Sequence, residues 1–175
     1  MGSDLVIRRT ATAASLVLAA VVVFTAAQVF WPQSADGSLT EPAYRAGQTI
    51  DTPADWHSRA PHTLVIFAQA ACGACQRAQP YLRSLVAHLD GRADVVMAAP
   101  GRDPAFDAQY GHGLGLPDDR TYVVPTGTRV RATPTLVLVD RSGQILGAWE
   151  GVGPEDEHAS LTATIDGLLD ASRAG

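Results

Sequence analysis

The stretch VIFAQAACGACQRAQP, residues 65–80, contains both cysteines of the 175-residue chain. Cys72 and Cys75 lie between a short apolar run that ends at Ala68 and a segment whose apolar residues recur at helical spacing up to Leu89. This pattern predicts a buried strand followed by a helix that begins near Cys72. Two cysteines so close in sequence cannot form the disulfide framework that holds small secreted domains together, so their pairing must be local.

A cysteine at a helix start is chemically favoured as a thiolate. Unpaired N–H groups and the helix dipole stabilise an anion there, and in Cys-x-x-Cys motifs the thiol pKa falls from about 8.5 to roughly 3.5–7.5. Cys75, one turn further on, can attack a mixed disulfide formed at Cys72. The spacing therefore predicts two catalytic residues, Cys72 as nucleophile and Cys75 as resolving cysteine. Their disulfide is the redox group, and no other cofactor is expected.

The rest of the chain reads as alternating strands and helices. The predicted elements after the first helix are a strand at 94–98, an irregular segment at 101–120 with one helical turn around Phe106, a short strand at 121–124, a hairpin of strands 135–139 and 144–149 around the turn DRSG, and a C-terminal helix at 159–171. This order predicts an α/β fold with a mixed central sheet flanked by helices.

The N-terminal region predicts a membrane anchor. Residues 11–31 contain no charge, and about 20 such residues span the hydrocarbon core. Arg8 and Arg9 precede them and acidic residues follow, which is the positive-inside pattern. We therefore expect a cytoplasmic N-terminus at 1–10, a single-pass transmembrane signal anchor at 11–31, a linker at 32–55 and a domain at 56–175 on the periplasmic side. A cleaved signal peptide is the alternative.

Composition excludes one broad class of function. The formal net charge is −5 and no run of Lys or Arg interrupts the acidic balance, so the electrostatic footprint of a nucleic-acid-binding protein is missing. The length allows one domain of ordinary size plus an appendage. The expected partners are therefore the membrane, through the anchor, and other proteins.

Three further features, in chain order, resemble a known family. Pro80 follows the cysteine pair, and RATPTLVLVDRSGQILGAWEG at 131–151 supplies a Thr-Pro-Thr sequence and a hairpin. With the preceding strand and the Cys-x-x-Cys pair, these motifs resemble the thioredoxin family over roughly residues 55–173. The resemblance implies a cis bond between Thr133 and Pro134, with Pro134 against the cysteine pair. It also implies that the substrate-binding residues are Thr133, Pro134, Gly73 and Ala74.

The long gap between Cys75 and Pro134, together with the anchor, is similar to membrane-tethered reductases of the TlpA and ResA type that serve cytochrome c maturation. That resemblance implies an exported client protein with disulfides or thiols, and a transmembrane electron donor or reoxidant. Ile66 stands where thioredoxins carry a buried acid, which leaves the proton acceptor for Cys75 unassigned. The dipeptide between the cysteines does not set the direction of electron flow.

Other functions must be weighed beside the redox one. Buried structural thiols are common in protein cores. A copper-binding chaperone or non-catalytic scaffold for metalloprotein assembly could use the same fold, and His112 is the histidine best placed by sequence to assist two thiolates. The other histidines are scattered without ligand spacing, so no metal site is predicted. A one-cysteine peroxidase of this fold would need a hydroxyl residue shortly before Cys72, where residues 69–71 supply none.

Overall fold

The computed structural model describes residues 42–99, 101 and 103–174; the segments predicted as cytoplasmic tail and membrane anchor lie outside these ranges. The strands are β1 (His62–Phe67), β2 (Asp94–Ala99), β3 (Thr121–Val123), β4 (Thr135–Asp140) and β5 (Ile145–Glu150), and the helices are α1 (Gly73–His88), α2 (Pro104–Leu114) and α3 (His158–Ala174). Within the described residues, no helix has the length and apolar character needed to cross a membrane.

The five strands form one mixed sheet in the order β3-β2-β1-β4-β5. β1 pairs in parallel with β2, and β2 with β3, whereas β4 runs antiparallel to both β1 and β5. β1 is central, and all six of its residues are buried, as its nearly continuous apolar sequence predicts. The predicted mixed sheet, hairpin and C-terminal helix are confirmed.

The two faces of the sheet are covered differently. On one face, Leu64 and Ile66 of β1 pack in a core with residues of all three helices, among them Leu82, Leu85, Tyr110, Leu114, Ile165 and Leu169. On the other face, Val65 and Phe67 pack with residues from the segment before β1. Each fully buried side chain of this size stabilises the fold by roughly 1.5–3 kcal/mol relative to its exposed state.

The second face is covered by part of the segment that the sequence predicts as a linker. Tyr44 stacks on Phe67 with ring centroids 5.5 Å apart, and Ile50 is buried beside them. Thr49 pairs with Gln144 in an isolated bridge. Residues from Pro42 onward therefore belong to the compact unit, and part of the predicted linker packs against the sheet. Sequence reasoning missed this because the few apolar residues of the segment have neither helical nor strand spacing.

Helix α2 corrects the prediction of an irregular segment at 101–120. Two of its buried positions are occupied by Asp107 and Gly111, which are not large apolar residues. The apolar residues of the segment therefore do not recur at helical spacing. The terminal signals were nevertheless present: the Asp103 carboxylate accepts a hydrogen bond from the Phe106 N–H at 3.1 Å, proline follows Asp103, and Gly115 ends the helix with φ 91°. Gly111 is required because a Cβ there would collide with the Thr121 hydroxyl on β3.

Candidate active site

The cysteine pair lies where β1 turns into α1. After Phe67 the chain makes a tight turn in which the Cys72 N–H donates to the Gln69 carbonyl at 3.1 Å. Cys72 is the N-cap of α1, and its sulfur accepts a hydrogen bond from the Cys75 N–H at 3.2 Å. The predicted helix start is confirmed, and the sulfur occupies the position where helix N–H groups favour an anion.

The two thiols differ in exposure and in acidity. Burial alone would raise the pKa of the Cys72 thiol, but hydrogen bonds from the Cys75 thiol, from the Thr133 side chain and from two backbone N–H groups outweigh it and lower that pKa below its ordinary value. Cys75 is 0% exposed, and burial, together with its hydrogen bond to Cys72, raises the pKa of its thiol to about 11. The arrangement favours a thiolate on Cys72 and a thiol on Cys75.

Thr133 lies directly beside this pair, and a cis peptide bond joins it to Pro134 as the resemblance implies. The Cys72 sulfur is 3.3 Å from the Thr133 carbonyl oxygen, to which the protonated thiol donates. The Pro134 carbonyl accepts from the Gly151 N–H at 2.8 Å, so the loop after β5 is tied to this turn. The structure thus brings Thr133 into contact with Cys72.

An open cleft of about 1040 Å³ lies next to this site, and neither cysteine is among the residues that line it. Ala74 and Pro134 line it, while Gly73 is exposed at the start of α1. The walls of the cleft are formed by the exposed side of α1 and by the segment from the end of β5 to the start of α3. They include Arg77, Pro80, Tyr81, Gly153, Pro154 and His158. The cleft thus opens beside the first turn of α1.

Three side chains near the cysteines were missed by sequence reasoning. Asp107 and Tyr110 come from α2, and Gln76 from α1; each makes a hydrogen bond to backbone in the turn before Cys72 or in the first turn of α1. They were missed because Asp107 and Tyr110 fall in the segment predicted as irregular. The capping residues of α2 were the available signal.

The structure also places two residues that the sequence left open. Ile66 is fully buried in the core, so the position of the missing acid is apolar. His112, the candidate metal ligand, is 53% exposed and pairs with the Asp118 carboxylate. Within the described part of the chain, no group of three or more His, Cys, Asp or Glu side chains could hold a metal ion.

A helix-capping cysteine with a lowered pKa, a buried partner three residues on and a neighbouring cis-proline turn, all on this mixed sheet, define a thiol-disulfide oxidoreductase of the thioredoxin type. The chain belongs to the thioredoxin-like domain family, whose model matches residues 55–165. No curated protein sequence is significantly similar to it.

Solved structures share the fold at low sequence identity. A thiol:disulfide interchange protein of the thioredoxin family from Chlorobium tepidum is 18% identical, with a TM-score of 0.50, over 71% of this chain and 92% of that one. A thiol:disulfide interchange protein from Bacteroides is 15% identical, with a TM-score of 0.52, over 73% and 92%. A Chlorobium tepidum protein proposed to be the interchange protein DsbE is 20% identical, with a TM-score of 0.51, over 66% and 84%.

The difference in acidity predicts a two-step pH dependence of alkylation. In the reduced protein, iodoacetamide should modify Cys72 with a midpoint below that of an exposed cysteine, because its thiolate is hydrogen-bonded. Cys75 should stay unmodified until the pH approaches about 11, because its thiol is buried. Mass spectrometry of peptides alkylated across a pH series measures both. Equal rates for the two thiols near neutral pH would contradict the assignment.

Proposed function

We propose that this chain is an extracytoplasmic, membrane-anchored thiol-disulfide oxidoreductase that reduces disulfides in exported proteins. The observation that carries the proposal is the unequal cysteine pair: the half-buried Cys72 sulfur caps α1 and has a lowered pKa, whereas the Cys75 thiol is fully buried with a raised one. Cys72 is suited to attack a partner disulfide, and Cys75 is suited to react only after the mixed disulfide has formed.

In this proposal the reaction has two balanced steps. The Cys72 thiolate attacks one sulfur of a client disulfide, a Cys72–client mixed disulfide forms, and the other client sulfur leaves as a thiolate that takes up a proton. Cys75 then loses its proton and attacks the Cys72 sulfur, which forms the Cys72–Cys75 disulfide and releases the second client thiol. Two electrons pass to the client. The redox group is the cysteine pair itself, and no further cofactor or metal is proposed.

The proposed docking surface consists of four residues around the Cys72 sulfur. Gly73 and Ala74 are exposed at the start of α1, and the Thr133–Pro134 turn lies opposite them. Small side chains at 73 and 74 leave room beside the half-buried Cys72 sulfur, so that an extended client segment can approach it. Thr133 also contacts the Cys72 sulfur through its carbonyl, which makes this turn sensitive to the state of the cysteine.

The proposed location rests on the uncharged segment at 11–31 and on the basic residues before it. This segment would hold the chain in the cell membrane with its N-terminus in the cytoplasm and the domain on the periplasmic side. Because the chain has only two cysteines, it has no second pair to relay electrons. Reductive turnover would therefore need a transmembrane electron donor, with proteins of cytochrome c biogenesis as one class of client.

The reductive direction has its own physical support. A strongly oxidising pair draws its driving force from an unusually stable reduced thiolate. The groups that lower the pKa of Cys72 are neutral hydrogen-bond donors, and burial opposes them. On this basis we favour a pair that gives up electrons, and the reduction potential decides.

The reduction potential tests this direction. The full chain in detergent would be equilibrated in glutathione or dithiothreitol buffers, with Cys72→Ser as the control that cannot form the disulfide. We expect a value close to about −270 mV, the reducing end of this fold's range. A value near about −120 mV would identify a disulfide donor instead.

For the proposed location, a membrane-impermeant maleimide should label Cys72 in intact spheroplasts, and labelling only after lysis would contradict that location.

A further inference from the structure

The turn before Cys72 is held by side chains, and one of them is a buried carboxyl group. Ala70 lies two residues before Cys72 and is 3% exposed. Its N–H donates to Oδ1 of Asp107 at 2.9 Å, and its carbonyl accepts from Nε2 of Gln76 at 2.6 Å. Buried backbone groups need partners, and both polar groups of Ala70 find theirs in side chains of two different helices.

Asp107 is unusual for a carboxyl group because it is only 5% exposed. The N–H that it binds belongs to a residue 37 positions away in the sequence. Burying such a group is costly unless a hydrogen bond compensates. The free-energy cost of burying the Asp107 carboxyl group is consistent with a specific role for its hydrogen bond to Ala70. Within the described residues, the hydrogen bond found for this carboxyl group is the one from Ala70, which fixes the turn that leads into the active-site helix.

A second contact from the same helix reaches the other side of the cysteine pair. The hydroxyl of Tyr110, buried in the core, donates to the Cys75 carbonyl at 2.6 Å. The N–H of Cys75 itself donates to the Cys72 sulfur. Asp107 and Tyr110 are three residues apart and face the same way on α2, so one helix holds both the turn before Cys72 and the first turn after it.

We propose that Asp107 and Tyr110 are positioning residues for disulfide exchange, which hold the Ala70 turn and the Cys75 turn so that the Cys72 sulfur stays on the N-cap of α1. Neither residue reacts. The proposal rests on the proposed role of Cys72 as the reacting cysteine. It gives the segment between β2 and β3 a function in the reaction, through geometry and not through contact with a client.

The test measures alkylation of Cys72 by iodoacetamide in the reduced full chain across a pH series, which needs no client. In Asp107→Ala, the rate at pH 7 should fall by about three- to tenfold, the effect expected from the loss of one hydrogen bond. The pH midpoint of Cys72 alkylation in this variant should move toward that of an exposed cysteine. Asp107→Asn should resemble the wild type, because an amide oxygen can still accept from the Ala70 N–H.

Two comparisons separate positioning from other roles of Asp107. Asp103→Ala removes the N-cap of the same helix without touching the turn, and it should leave the alkylation profile unchanged. If Asp103→Ala reproduces the effect of Asp107→Ala, the residue acts only through helix stability and the proposal is overturned. If Asp107→Asn and Asp107→Ala change the rate equally, the negative charge is responsible, and the proposal fails as well.

Tyr110→Phe keeps the test decisive even if Asp107→Ala does not fold. It removes only the hydroxyl that binds the Cys75 carbonyl, and it should slow Cys72 alkylation in the same way. Tyr44→Phe is the matched control, since its hydroxyl binds Asp51 on the opposite face of the sheet. Equal rates in the two Phe variants would contradict the role of Tyr110. Because no client is present, an unexpected reduction potential would refute the reductive function without affecting this result.

Discussion

We expect Cys72→Ser to abolish reduction of a protein disulfide such as that of insulin, to the rate given by dithiothreitol alone. A serine hydroxyl is not ionised at neutral pH and cannot replace the thiolate, so the loss should be about a hundredfold or more. The substitution should leave the fold intact, because serine also caps helices well and differs from cysteine by one atom. Turbidity from insulin reduction measures the activity, and circular dichroism checks the fold.

This expectation depends on which sulfur a client can reach. Cys75 is fully buried, whereas Cys72 is partly exposed. A Cys72→Ser protein that kept more than a tenth of the wild-type rate, with its fold verified, would show that Cys75 can attack clients directly. The order of attack proposed above would then be wrong.

The second large effect is expected in Cys75→Ser, which should stop the reaction halfway. Cys72 can still attack a disulfide, but the residue that resolves the mixed disulfide is missing. The variant should therefore accumulate nearly one equivalent of a covalent adduct when it is mixed with oxidised glutathione or a disulfide-containing protein. A non-reducing gel and intact-mass measurement detect the adduct, which dithiothreitol should release.

The double variant with serine at both positions is the matched control, and it should form no adduct. The wild-type protein should show only a small, transient amount, because Cys75 lies one helical turn away in the core. If Cys75→Ser turned over like the wild type, resolution by Cys75 would be refuted. Peptide mapping should place the adduct on Cys72.

These predictions depend on features that the sequence already contained. The apolar run before the cysteines, the helical spacing after them and the turn DRSG are local signals, so β1, α1 and the hairpin could be predicted from short windows. The position of Cys72 at the helix start followed from the same windows. That position supplies the local hydrogen bonds that help to lower the pKa of its thiol, whereas the contribution of Thr133 could not be inferred from short windows.

Other parts of the molecule could not be predicted in this way. Helix α2 has buried positions occupied by Asp107 and Gly111, so its inward face carries no apolar period. The burial of Tyr44 and Ile50 depends on an open sheet face, whose existence only the complete strand order reveals. No pattern in the sequence indicates that the Asp107 carboxyl group binds the turn before Cys72.

The sequence by itself therefore determined the five strands, the first and last helices, the redox pair and the helix end that favours a thiolate on Cys72, because neighbouring residues encode each of these. Only the tertiary structure decided what holds that pair in place. Asp107 meets Ala70 across 37 residues, and Tyr110 meets Cys75 across 35. Such contacts arise when the segment after β2 folds back over α1, and they depend on packing between elements, which short-range periodicity does not describe.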